Sequence, residues 1–272
     1  MHHEGNLRKL RSHLTDPVEY GMPLNKIVVP LNPLVGKYIS LRYSGLINCI
    51  HCGRKTSKSF AQGYCFPCMR SLPECDTCIV RPETCHFAAG TCRDEEWGEA
   101  HCMQDHIVYL ANSSGAKVGI TRGTQVPTRW IDQGASQALP VFRVSKRLLS
   151  GKLEHILRQQ VSDRTDWRKM LKGEPEAIDL RVLRDQLFEA MRSPVESLID
   201  EEESGSIEPL DAELIDIRYP VLEYPEKVSS LNFDKTHEIH GRLMGIKGQY
   251  LILDKGVINI RKFAGYHIRL SY

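Results

Sequence analysis

Ile107-Val108-Tyr109-Leu110-Ala111, then Asn112 and a Ser113-Ser114-Gly115 turn, then Lys117-Val118-Gly119-Ile120-Thr121, decide how the middle of this chain folds. Two short runs of apolar and β-branched residues flank small polar turn formers, which is the pattern of an antiparallel hairpin. Downstream, Pro127 is placed to open a short helix over 128–133, with Gly134 just beyond its end. Residues 139–148 read as a further strand. Ser150 can cap a helix over 151–161, on which Leu153, Ile156 and Leu157 share an apolar face, and a shorter helix is expected over 167–171.

Working outward, residues 17–48 alternate apolar and polar positions between turn residues and read as short strands. Residues 180–198 carry an apolar stripe at Leu180, Leu183, Leu187, Met191, Val195 and Leu198, a helix broken or kinked at Pro194. The acidic run from Asp200 to Ser206 has the composition of a linker. The last fifty residues return to short strands separated by glycines, a small sheet or a barrel completed by the N-terminal strands. There Tyr250, Phe263 and Tyr266 interleave with Lys247, Arg261 and Lys262, a combination that suits a nucleic-acid-binding face.

The whole chain has 272 residues, 41% hydrophobic and 26% charged, which excludes disorder as the dominant state. No apolar run reaches the length of a membrane span and the N-terminus lacks a signal peptide's apolar core, so a cytoplasmic protein without a membrane partner is expected. The net charge of +2 hides an uneven distribution. Residues 105–175 carry 12 Lys+Arg against 6 Asp+Glu, and residues 176–220 carry 4 against 13. A basic central segment points mildly to a polyanionic partner.

All nine cysteines fall between Cys49 and Cys102. In a chain without an export signal they are metal ligands before they are disulfides. Cys49-x2-Cys52 followed by Cys65-x2-Cys68 has the spacing of a tetrahedral zinc site, closed and therefore structural. A second group, Cys75, Cys78, Cys85, Cys92 and Cys102, offers more sulfur than one ion requires. A second zinc using Cys75, Cys78 and two later cysteines is the first expectation there, and an iron-sulfur cluster the alternative. The neighbouring His86, His101 and His106 are read as surface or packing residues.

The order hairpin, helix, strand, helix over roughly 106–172, with Tyr109 in the first strand, Arg129 on the first helix and Glu154 on the second, resembles the GIY-YIG endonuclease domain. Ile107 stands where the first motif has Gly, and Lys117 where the second has Tyr. The resemblance implies that Tyr109 and Arg129 face the scissile phosphate and that Glu154 holds one divalent metal, Mg or Mn. The residue types suit that chemistry: Arg129 offers a fork to phosphate oxygens, and Tyr109 is the candidate base, its pKa lowered by Lys117 if the two share a face. The cysteine-rich segment with Pro82-Glu83-Thr84-Cys85-His86 and Gly90-Thr91-Cys92-Arg93 also resembles a bacterial family of unknown function.

The expectation is therefore an α+β protein: an N-terminal β segment (1–48), a cysteine-rich metal module (49–104), a GIY-YIG-like α/β domain (105–175), a helical and acidic linker (176–220) and a C-terminal β domain (221–272). Its expected function is metal-dependent cleavage of DNA or RNA, with Tyr109, Lys117, Arg129 and Glu154 as catalytic residues and one or two structural zincs. The alternatives are a non-catalytic zinc-dependent nucleic-acid adaptor and an iron-sulfur or redox-responsive regulator.

Overall fold

The computed structural model describes residues 1–272. Its two ends build one antiparallel sheet. Strand β1 (His2–Asn6) pairs with β15 (Tyr266–Ser271), and the order continues through β5 (Tyr38–Asn48), β12 (Glu238–Lys247), β13 (Tyr250–Leu253) and β14 (Gly256–Asn259), with β6 (Lys55–Thr56) on β5. The alternation in sequence explains the pairing: on β12, Ile239, Gly241 and Leu243 are buried while Glu238, His240 and Arg242 face solvent. A three-stranded sheet of β2 (Arg11–His13), β3 (Glu19–Leu24) and β4 (Ile27–Pro30) packs into the same core.

The quoted hairpin forms as β7 (His106–Asn112) and β8 (Ala116–Arg122), within the order β10 (Ile207–Pro209), β9 (Gln137–Val144), β7, β8, with β11 (Ile215–Asp216) also on β9. Both faces of β7 are covered. Val108 and Leu110 pack with Leu149, Leu153 and Leu157 of α4 (Arg147–Leu157) and with Leu187 and Leu198 from α6 (Leu180–Ala190) and α7 (Arg192–Asp200). Tyr109 and Ala111 point the other way, into the core of the terminal sheet beside Trp130 and Ile131 of α3 (Thr128–Asp132). Burial on two faces is why the run 107–111 is apolar throughout instead of alternating.

Several boundaries differ from the sequence reading. Helix α4 starts at Arg147, so Ser150 is not its cap; its hydroxyl turns back to the Arg147 carbonyl at 2.7 Å, and the Arg147 guanidinium bonds the Ile79 carbonyl at 2.6 Å. The stripe over 180–198 is two helices that break at Met191, with Pro194 in the first turn of the second, where a missing N–H costs nothing. The acidic run leads directly into β10, whose Ile207 pairs with Val144 of β9. The remaining helices are α1 (Phe66–Ser71), α2 (Glu95–Cys102) and the short α5 (Trp167–Met170). No helix is long and apolar enough to cross a membrane.

Candidate metal centre and basic cleft

Cys49 follows the end of β5 and Cys65 caps α1, so each Cys-x2-Cys pair sits on a tight turn docked against the terminal sheet. Cys49 N–H bonds the Arg54 carbonyl at 2.9 Å and Gly53 N–H bonds the Cys49 carbonyl at 3.0 Å, closing the first turn. Gly53 takes a φ of +74°, the left-handed conformation such a turn requires. The sulfurs of Cys49, Cys52, Cys65 and Cys68 all lie within 4.8 Å of one another, and those of Cys52 and Cys65 are 3.8 Å apart. Tetrahedral thiolates about 2.3 Å from a zinc ion stand about 3.8 Å from each other, so the donor set fits that metal. Burial works against ionising Cys49, but backbone amides of Cys52, Cys65 and His51 aim at its sulfur and bring it down to about 6.

The second cysteine group divides. Cys78, Cys85, Cys92 and Cys102 line a separate small pocket with Asp76, His86, Phe87 and Trp97. Cys75 stands outside it, its nearest charged neighbours being Glu74, Arg93 and Cys49. Adjacent Cys75 and Cys78 therefore do not act as a pair. His86, read as a packing residue, is also drawn in: its Nε2 is 3.6 Å from the Asp76 carboxylate, and Asp76, Cys78 and His86 present ligand atoms within 4.8 Å of one another.

On the other side of the 76–85 segment opens a larger cleft. Lys117, Arg129 and Glu154 all line it, from β8, α3 and α4. Strand β8 is the edge of its sheet, which lets a residue from the helical face and one from the opposite face meet across it. Arg122, Arg147, Lys9 and Arg261 add positive charge to the walls, against the carboxylates of Asp132, Glu154 and Asp163. Lys9 is tied to Asp132 at 2.9 Å. Lys9, Arg122, Arg147, Asp163 and Arg261 were invisible to motif reading because they come from segments far apart in sequence. The charge excess of residues 105–175 was the one available signal.

Burial sets the electrostatics. The Glu154 carboxyl is pushed up to about 7, by burial first and the Asp163 charge second, while Lys117 and Arg129 pull the other way. Lys117 is 4% exposed and brought down to about 8 by burial and by the Arg129 charge. Two groups thus titrate near neutrality on one wall of a cleft, an arrangement common where protons are moved.

Tyr109 departs from its expected role. It pairs directly with Gly119, and Ala111 with Lys117, so Tyr109 and Lys117 do share a face. Yet Tyr109 is fully buried, its hydroxyl donates to Gln133 Oε1 at 2.9 Å, and burial raises it to about 12 despite Arg129 nearby. The expected lowering by Lys117 is overturned, because desolvation outweighs the neighbouring charge. Gly119 forms the lid: a Cβ there would stand 2.7 Å from the tyrosine Cζ and hydroxyl oxygen. The aromatic and basic residues near the C-terminus are likewise interior: Phe263 and Tyr266 are core residues, Lys247 is wholly buried against Glu174, and Tyr250 stacks on Trp167 at 5.7 Å. They form no exposed stacking face.

A family model described as a protein of unknown function, DUF2797, matches residues 36–268. The chain belongs to the DUF2797 family. The match takes in every cysteine and all the cleft residues named above except Lys9. No curated protein and no solved structure matches the chain.

Proposed function

We propose that this DUF2797 protein binds nucleic acid in the basic cleft and cleaves a phosphodiester there, as a divergent relative of the GIY-YIG endonucleases. The observation that carries the reading is the meeting of Lys117, Arg129 and Glu154 on one cleft, with Asp163 beside Glu154 and further cations around them. Arg129 can fork onto two phosphate oxygens. A hard divalent cation suits Glu154, whose carboxylate is buried beside a second carboxylate and gains from a neutralising charge; bound there it would supply Lewis acidity to the phosphoryl group. Lys117, at about 8, holds a neutral fraction that accepts the proton of an attacking water. Tyr109, through Gln133 at the C-terminal end of α3, positions the helix that carries Arg129.

The test is cleavage of duplex, single-stranded and branched DNA and of structured RNA, with Mg²⁺ or Mn²⁺, by wild type and Glu154→Gln prepared identically. Cleavage by wild type alone supports the proposal, and its rate should climb between pH 7 and 9 as Lys117 loses its proton. The burial of Tyr109 favours one second reading, a nucleic-acid adaptor that keeps the cleft without the chemistry. Salt-sensitive binding with no metal-dependent cleavage would select it.

A further inference from the structure

We propose that Cys78, Cys85, Cys92 and Cys102 hold a four-iron, four-sulfur cluster, a second metal centre distinct from the zinc quartet. The four come from separate turns: Cys78 from the turn Thr77–Ile79, Cys85 after the turn Pro82–Thr84, Cys92 ahead of α2, and Cys102 at the end of α2. They nevertheless converge on one enclosed pocket, of about 300 Å³ between its walls, shielded by Phe87 and Trp97. Cys78 and Cys102 are 8% and 5% exposed.

The spacing separates this group from the zinc site. The zinc quartet's four sulfurs are mutually within 4.8 Å, whereas of the second four only Cys78 belongs to so tight a set, and its partners there are Asp76 and His86. Sulfurs that share one ion must crowd together, about 3.8 Å apart around zinc. Sulfurs that each bind a different iron of a cluster stand wider and surround a space, as these do. A zinc ion on Asp76, Cys78 and His86 would leave three cysteines idle and would compete for committed groups. Asp76 is already paired with Arg93 at 2.6 Å, and His86 Nδ1 lies 2.8 Å from the Thr91 hydroxyl.

The surroundings meet the charge a cluster brings. Four thiols bind iron as thiolates, releasing four protons and leaving net negative charge in a closed space. Arg147 is buried next to Cys102, Cys78 and Cys85, and its Nε–H has no partner although Nη2 bonds the Ile79 carbonyl. An enclosed, unpartnered guanidinium N–H beside sulfur is the donor that stabilises such a charge. Gly98 lets the assembly close, since a Cβ there would come within 3.2 Å of the Cys92 sulfur and 2.7 Å of the Phe87 ring. The segment the cluster would pin, 76–85, has only single 3-10 turns of its own and supplies Ile79, Val80 and Pro82 to the cleft wall.

The experiment is metal and acid-labile sulfide analysis of the full chain, purified without oxygen and reconstituted with iron and sulfide, with visible and electron paramagnetic resonance spectra after reduction. Wild type is expected to hold about one zinc, four irons and four sulfides per chain. Cys85→Ser and Cys92→Ser, at less buried positions, should lose iron and sulfide but keep zinc; Cys75→Ser should keep both; Cys49→Ser should lose zinc. Two zincs without sulfide in the wild type would overturn the assignment. So would iron that survives Cys92→Ser yet disappears in Cys75→Ser. The wild-type composition decides even if a variant fails to fold, and no outcome depends on nuclease activity.

Discussion

Replacing Glu154 with Gln is expected to stabilise the protein above neutral pH, because the fold carries a carboxylate it does not favour. An ordinary Glu ionises near 4.5, and this one at about 7, with burial and Asp163 outweighing the pull of Lys117 and Arg129. Its proton is held more tightly folded than unfolded. Stability is therefore unaffected by this group below about pH 4.5, falls as pH rises from 4.5 to 7, and levels off above. The gap between 4.5 and about 7 amounts to about 3 kcal/mol at 1.36 kcal/mol per pH unit, an upper figure for a half-buried side chain. For a domain of this size that is a rise in Tm of about 6–12 °C. Thermal melts followed by circular dichroism at pH 5 and pH 8, without added Mg²⁺ and without chelator so that zinc stays bound, read it directly. The Gln variant should melt well above wild type at pH 8 and close to it at pH 5, and adding Mg²⁺ should raise wild type alone. A variant that is less stable at pH 8, or a gap that ignores pH, would refute the reasoning and remove the case for Glu154 as a metal ligand.

Cys49→Ser should release the zinc and unravel residues 49–68, whose turns bury few apolar side chains; zinc analysis with limited proteolysis will show one metal lost and new cleavage there. Gly119→Ala drives a methyl to within 2.7 Å of the Tyr109 ring and should cost about 1–3 kcal/mol in denaturant melts, whereas Ala at the exposed Gly115 position should cost far less if its turn relaxes. Arg261→Gln should weaken nucleic-acid binding and lower its salt dependence by about one counterion, measured by fluorescence anisotropy across a salt series; an unchanged slope would place the ligand elsewhere.

The sequence determined the local elements and one site. Hairpin turn chemistry at Ser113-Ser114-Gly115 placed β7 and β8 to within a residue at most ends, and Cys-x2-Cys spacing named the quartet that the fold gathers, because both signals act over a few residues. Tertiary structure decided the rest. The zinc-adjacent cysteines could not be sorted by spacing: Cys75 and Cys78 are three apart in sequence, yet they point to different surroundings, and Cys78 joins Cys102 from the end of α2. The cleft takes Arg261 from the C-terminal segment and Lys9 from the N-terminal one, contacts that exist only because β1 and β15 pair across the whole chain. Most of all, the proton affinities of Tyr109, Lys117 and Glu154 follow from how far each is removed from water, a property of the packed molecule and of no local stretch of residues.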